Sequence, residues 1–166
     1  MDEAWASLAR LTLQDWERDL NSIPDNSETG GRLKFYRILK ASPSVEQCIE
    51  AEISLNKRRV ITQLRTGCLP LEVELGRYRS PKTPLADRLC QLCKRGVGDE
   101  PYLLLDCSVL SEHTAQLQHM MTRKVEAFIE LSRLEKVRRI LSLCGSDHDV
   151  GKLVYHLVIT RANLLK

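Results

Sequence analysis

The chain has 166 residues, of which 43% are hydrophobic and 28% charged, with a formal net charge of +3. That composition is expected of a soluble globular protein large enough to bury a core, and no run of about 18 apolar residues is present to span a bilayer. The opening Met-Asp-Glu-Ala-Trp has neither the basic start nor the apolar stretch of a secretory signal, so nuclear or cytoplasmic residence is expected, with the six cysteines as reduced thiols.

Asp2 to Asn21 reads as an amphipathic helix, because Trp5, Leu8, Ala9, Leu13, Trp16 and Leu20 recur at three- and four-residue steps. Turn formers from Asp25 to Gly31 predict a loop, and Arg32 to Lys40 a short helix ended by Ser42-Pro43. Ser44 is placed to cap a long helix over 45–66, with Ile49, Ile53, Val60 and Leu64 on its buried stripe and Gly67 as its C-cap. Asn56 falls in the same stripe, where it would need buried partners. Residues 69–76 alternate like a strand, but the Glu-rich composition after Pro70 favours a short helix.

Cys90-Gln-Leu-Cys93 is a Cys-x-x-Cys knuckle, and Cys107 follows after a short loop, which is the skeleton of a small zinc site. Leu103, Leu104 and Leu105 read as core beneath it. From Cys107 onwards the pattern is helical. Ser108 or Ser111 would open a helix through Glu130, with Leu110, Leu117, Met121, Val125 and Phe128 facing inward. Ser132 would cap a second, with a stripe of Leu134, Val137, Leu141 and Cys144 closed by Gly145. Ser146 would open the last, with Leu153, Val154, Leu157, Val158 and Leu165 buried. The fold expected is mainly α: about seven helices with a knuckle-like loop insertion. It divides into an N-terminal helical segment (1–44), a basic helix plus knuckle (45–107) and a C-terminal helical segment (108–166), together one compact unit.

Charge is unevenly spread. Between Asn56 and Arg95 there are ten basic residues against three acidic ones, so the remainder of the chain is net acidic. Lys57, Arg58, Arg59 and Arg65 on the central helix, with the Arg77-Tyr78-Arg79 triplet after it, are the candidate contacts to nucleic acid: cations for phosphates, and Tyr78 for stacking on a base or ribose. Aromatic residues make up only 5% of the chain, which argues against an extensive stacking platform.

Leu64 to Cys107 runs LRTGCLPLEVELGRYRSPKTPLADRLCQLCKRGVGDEPYLLLDC. Its LR-x-G turn, G-R-Y element, D-R-L-C-x-L-C knuckle, acidic pair and final cysteine resemble the C-terminal zinc-binding segment of LINE-type, non-LTR retrotransposon reverse transcriptases. The resemblance implies a non-catalytic module that binds RNA or DNA beside a polymerase, with zinc as cofactor on Cys90, Cys93 and Cys107. The family's histidine, five positions before the last cysteine, is here Tyr102, a poor zinc ligand. His113, a water, or a carboxylate of Asp99, Glu100 or Asp106 would close the site, or the knuckle stands as a buried thiol cluster.

Catalysis is not expected. The chain has no Asp-Asp pair for polymerase metals, no phosphate-binding Gly-rich loop, no H-E-x-x-H and no G-x-S-x-G. Two alternatives to nucleic-acid binding stand: a helical domain with a protein partner, docking through the C-terminal stripe or through Trp5 and Trp16, or a retroelement remnant without function.

Overall fold

The computed structural model describes residues 2–22, 33–40, 49 and 53–166, with the side chains of 2–6, 8 and 9 outside that description. The loop expected at 25–31 and the Ser44 cap therefore lie outside the described residues, as does Cys48. The chain is mainly helical and has no strand among the described residues. Its helices are α1 (Asp2–Ser22), α2 (Lys34–Leu39), α3 (Leu55–Thr66), α4 (Glu72–Leu75), α5 (Glu100–Leu105), α6 (Ser111–Lys124), α7 (Arg133–Leu143) and α8 (His148–Leu164).

The central helix is shorter than its periodicity suggests. Ile53 and Ser54 are non-helical, and extended Ser54, rather than Ser44, caps α3 by accepting the Lys57 N–H at 3.5 Å. Ile49 is 54% exposed and so leaves the expected stripe, and Asn56 faces solvent and needs no buried partner. At the other end Gly67 adopts φ 67, the left-handed C-cap conformation that glycine takes without a Cβ penalty. Val60, Ile61 and Leu64 then form the buried stripe.

Helix α8 packs on α3 and α6, while α5 packs on α6 and α7, and α2 on α3 and α7. Ile61, Leu64, Leu104, Leu117, Met121, Val137, Ile140, Leu141, Val154 and Leu157 meet in one core without solvent exposure. Burying a Leu or Ile side chain is worth about 1.5–3 kcal/mol, so this shared core holds α3 and α5–α8 together. Gly151 lets α8 begin against the end of α7, since a Cβ there would lie 2.7 Å from the Cys144 carbonyl oxygen.

Three other ends differ from expectation. Helix α6 stops at Lys124, where Val125 is extended and Ala127 left-handed, and a 3-10 turn (Phe128–Glu130) carries Phe128 into the core. Ser108 and Ser111 do not cap it: Ser108–Leu110 is a 3-10 turn, and the cap residue Leu110 has no side-chain bond. Asp147, rather than Ser146, caps α8, accepting from the Asp149 and Val150 N–H groups at 3.0 and 3.1 Å. Ser132 caps α7 as expected, but Leu134 faces solvent and Ile140 replaces it in the buried stripe. In α1, Leu11 and Leu13 are exposed and Trp16 and Leu20 half-buried, and Leu165 at the C-terminus is also exposed. No helix is long and apolar enough to cross a membrane among the described residues.

Candidate metal centre

The knuckle is built by local hydrogen bonding. An isolated antiparallel bridge joins Leu89 to Val97, the Cys90 N–H donates to the Gly96 carbonyl at 2.8 Å, and the Lys94 N–H donates back to Cys90 at 2.9 Å. Lys94 takes φ 58 to turn the chain. The third cysteine arrives through α5. Asp99 caps that helix by accepting the Tyr102 N–H at 2.8 Å, Pro101 sits in its first turn, and the Cys107 N–H donates to the Tyr102 carbonyl at 3.0 Å.

The result is a cluster in which the Sγ atoms of Cys90, Cys93 and Cys107 all lie within 4.8 Å of one another. Cys90 and Cys107 are 3.8 Å apart. A tetrahedral metal with metal–sulfur bonds of about 2.3 Å requires sulfur–sulfur edges of about 3.8 Å, so the thiol spacing fits. Three cysteines able to hold a metal ion are thus brought together.

Tyr102 stands where the resemblance would put a fourth ligand. Its hydroxyl is 3.0 Å from Cys93 Sγ, and its ring lies against Gly96, where a Cβ would come within 2.4 Å of Tyr102 Cε2. Burial alone would raise the Cys93 pKa, but the Tyr102 hydroxyl, the Arg95 backbone N–H and the neighbouring thiols outweigh it and bring it to about 7. The same hydrogen bond holds the Tyr102 pKa well above its ordinary value. Tyr102 therefore keeps its proton, and its hydroxyl donates a hydrogen bond to Cys93 Sγ when that thiol is ionised. Cys107, under burial and beside Cys90, is pushed up to about 11.

A cation backs the cluster from across the fold. Arg161 of α8 is only 6% exposed and donates through Nη1 to the Pro70 carbonyl at 3.3 Å. Burial lowers its pKa, while Cys90, Glu72 and Cys107 favour its charge. Three thiolates around a dication would leave a net charge of −1, which a buried guanidinium would offset.

The other expected ligands go elsewhere. His113 Nε2 lies 3.2 Å from the Thr160 hydroxyl and does not close the site. Asp99 is occupied as a cap, and Asp106 pairs with Arg133 at 2.6 Å. Cys68 is exposed, and buried Cys144 is 3.3 Å from the Leu141 carbonyl oxygen.

The basic residues divide sharply. Arg65 is 8% exposed, so it is turned away from any phosphate, because α3 presents that side to the interior. Arg77 is largely buried against Glu74 at 3.3 Å, and Arg79 is bonded to buried Glu72 at 2.7 Å. These arginines compensate acidic side chains of α4, a structural task that spacing did not reveal. Tyr78 is 66% exposed, with its hydroxyl 3.4 Å from Glu74. Lys57 and Arg58 are half-buried, whereas Arg59 is exposed. Lys94 and Arg95 at the knuckle tip are also exposed; they belong to the basic block but had no individual signal to distinguish them. Nothing local marked Arg161 as buried, and Glu100, named as a possible fourth ligand, is buried at the start of α5.

No family model matches the chain, and neither a curated protein nor a solved structure is found to be similar to it.

Proposed function

We propose that the chain is a non-catalytic nucleic-acid-binding module, of the kind its resemblance to retrotransposon reverse-transcriptase tails implies, in which a zinc ion fixes a basic knuckle. The observation that carries this reading is the thiol cluster, with its 3.8 Å edge, seated directly beneath the exposed Lys94–Arg95 tip. Cys90, Cys93 and Cys107 hold the ion, and zinc supplies a structural crosslink there. Tyr102 steadies the Cys93 thiolate through its hydroxyl. Arg59, Lys94 and Arg95 contact phosphates in place of the buried Arg65, and exposed Tyr78 stacks on a base.

Anisotropy titrations of a labelled single strand at several salt concentrations test the reading. Affinity is expected to fall linearly on a log–log plot, and Lys94→Ala and Arg95→Ala each to lower the slope by about 1. Absence of binding even at low salt would sink the module as described.

A second expectation concerns the fourth corner. Tyr102→His is expected to tighten zinc binding at least about tenfold, since an imidazole can ligate where a protonated phenol only hydrogen-bonds. Competition against a chelator measures this, and unchanged affinity would place position 102 outside the metal's reach.

A further inference from the structure

A cleft of about 360 Å³ opens beside the knuckle, lined among others by Lys34 and Phe35 of α2, by Asp99, Glu100 and Tyr102 at the start of α5, and by Arg133 of α7. That volume lies at the lower end of the roughly 300–1,000 Å³ typical of small-molecule sites. Its most unusual occupant is Glu100, 6% exposed yet facing the cleft. Apart from its own backbone N–H, no donor among the described residues reaches its carboxylate. Asp99 accepts the Tyr102 N–H and Asp106 is paired with Arg133, whereas the Glu100 carboxylate meets only its own N–H and keeps acceptor lone pairs to offer. A buried carboxylate whose one donor is its own N–H is costly to ionise, and a group held at such a cost facing a cleft is a candidate binding group.

The surroundings select the ligand. Lys34 and Arg133 line the same cleft as Asp99 and Glu100, and Arg133 is already bonded to Asp106, so Lys34 is the cation set to meet an anionic group of the guest. A carboxylate is best met by two adjacent donors on one edge. Guanine has them in N1–H and its N2 amino group. Adenine and cytosine set an acceptor beside their amino group, and thymine has one donor between two acceptors. The Tyr102 ring adds an aromatic wall.

We propose that this cleft takes a guanine base of a single-stranded nucleic acid, its N1–H and N2–H donating to the two oxygens of the ionised Glu100 carboxylate and its phosphate lying against Lys34. The inference rests on the nucleic-acid reading above and adds to it a base preference that backbone contacts cannot supply.

The test, run at about pH 8 where Glu100 is ionised, uses the full chain, a labelled oligothymidine, and the same strand with one central base replaced by guanine, adenine or cytosine. The guanine strand is expected to bind about tenfold tighter than the other three. Glu100→Gln, which keeps the side-chain volume and leaves the Asp99 cap in place, is expected to bring that ratio close to one. Four strands bound alike would overturn the cleft while leaving the nucleic-acid reading intact. No binding to any strand at low salt would overturn both. A guanine preference that survives in Glu100→Gln would remove Glu100 from the site. Displacement by an arginine-containing peptide but not by guanosine monophosphate would overturn the proposal in favour of a protein ligand.

Discussion

Zinc at about 1,000 times its dissociation constant is expected to stabilise the reduced protein by about 4 kcal/mol, and Cys107→Ser to remove that increment. The effect would be large because an ion on the cluster would tie together parts of the chain that otherwise meet only through packing. Cys90 and Cys93 sit on the knuckle, and Cys107 follows α5. For a chain of this length each kcal/mol is worth roughly 2–4 °C in melting temperature, so the shift is on the order of 10 °C. The readout is the difference between melts with zinc and with chelator, in parent and variant. Cys107 is fully buried, so a serine there also weakens the apo protein by burying a hydroxyl. Only the zinc-dependent difference therefore bears on the ligand. An equal zinc response in both proteins would show that the thiol cluster does not hold the ion.

The second large effect is expected from Glu100→Gln, and its sign depends on pH. Burial, with Asp99 and Glu74 nearby and only its own backbone N–H and Lys34 opposing them, lifts the Glu100 pKa from 4.5 to about 7. Between those values the native state keeps a proton that the unfolded chain has released. Stability therefore falls as pH rises through this window and is lowest above it. The full cost is on the order of 3 kcal/mol. A glutamine stays neutral throughout, so the variant is expected to be more stable than the parent by up to that amount near about pH 8 and to match it near about pH 4. Urea unfolding at both values measures it. Cys93 titrates in the same range, but it is present in both proteins and cancels in the comparison. A difference that does not change with pH would show that Glu100 is not held as a buried acid. A residue that destabilises the fold at neutral pH while lining a cleft fits a trade of stability for binding.

Much of the architecture was legible because its determinants are local. Gly67 and Ser132 mark helix ends through bonds to residues a few positions away, and Val60 with Leu64, or Leu117 with Met121, repeat at one helical turn. The Cys-x-x-Cys turn is local as well, closed by the Cys90 and Gly96 backbone groups. Where local signals competed, the reading failed. Ser111 and Ser146 were plausible caps, but the breaks at Ile53–Ser54, at Val125–Ala127 and at Asp147 follow from where helices must turn to pack, which periodicity does not encode.

By itself, then, the sequence determined a mainly helical chain, most of its core and three thiols at knuckle spacing, because hydrogen bonds within a turn and side chains on one helix face depend on near neighbours. Only the tertiary structure decided which charges are free to act. Arg65, Arg77 and Arg79 look like Arg59, Lys94 and Arg95 in a list of basic residues, yet the first three are turned inward or paired with Glu74 and Glu72. Arg161 meets the carbonyl of Pro70, 91 positions away. Tyr102 reaches Cys93, and Glu100 is buried beside an open cleft, because α5 packs between the knuckle and the C-terminal helices. Burial and ion pairing are set by what the rest of the chain brings alongside, and no local stretch of sequence carries that information.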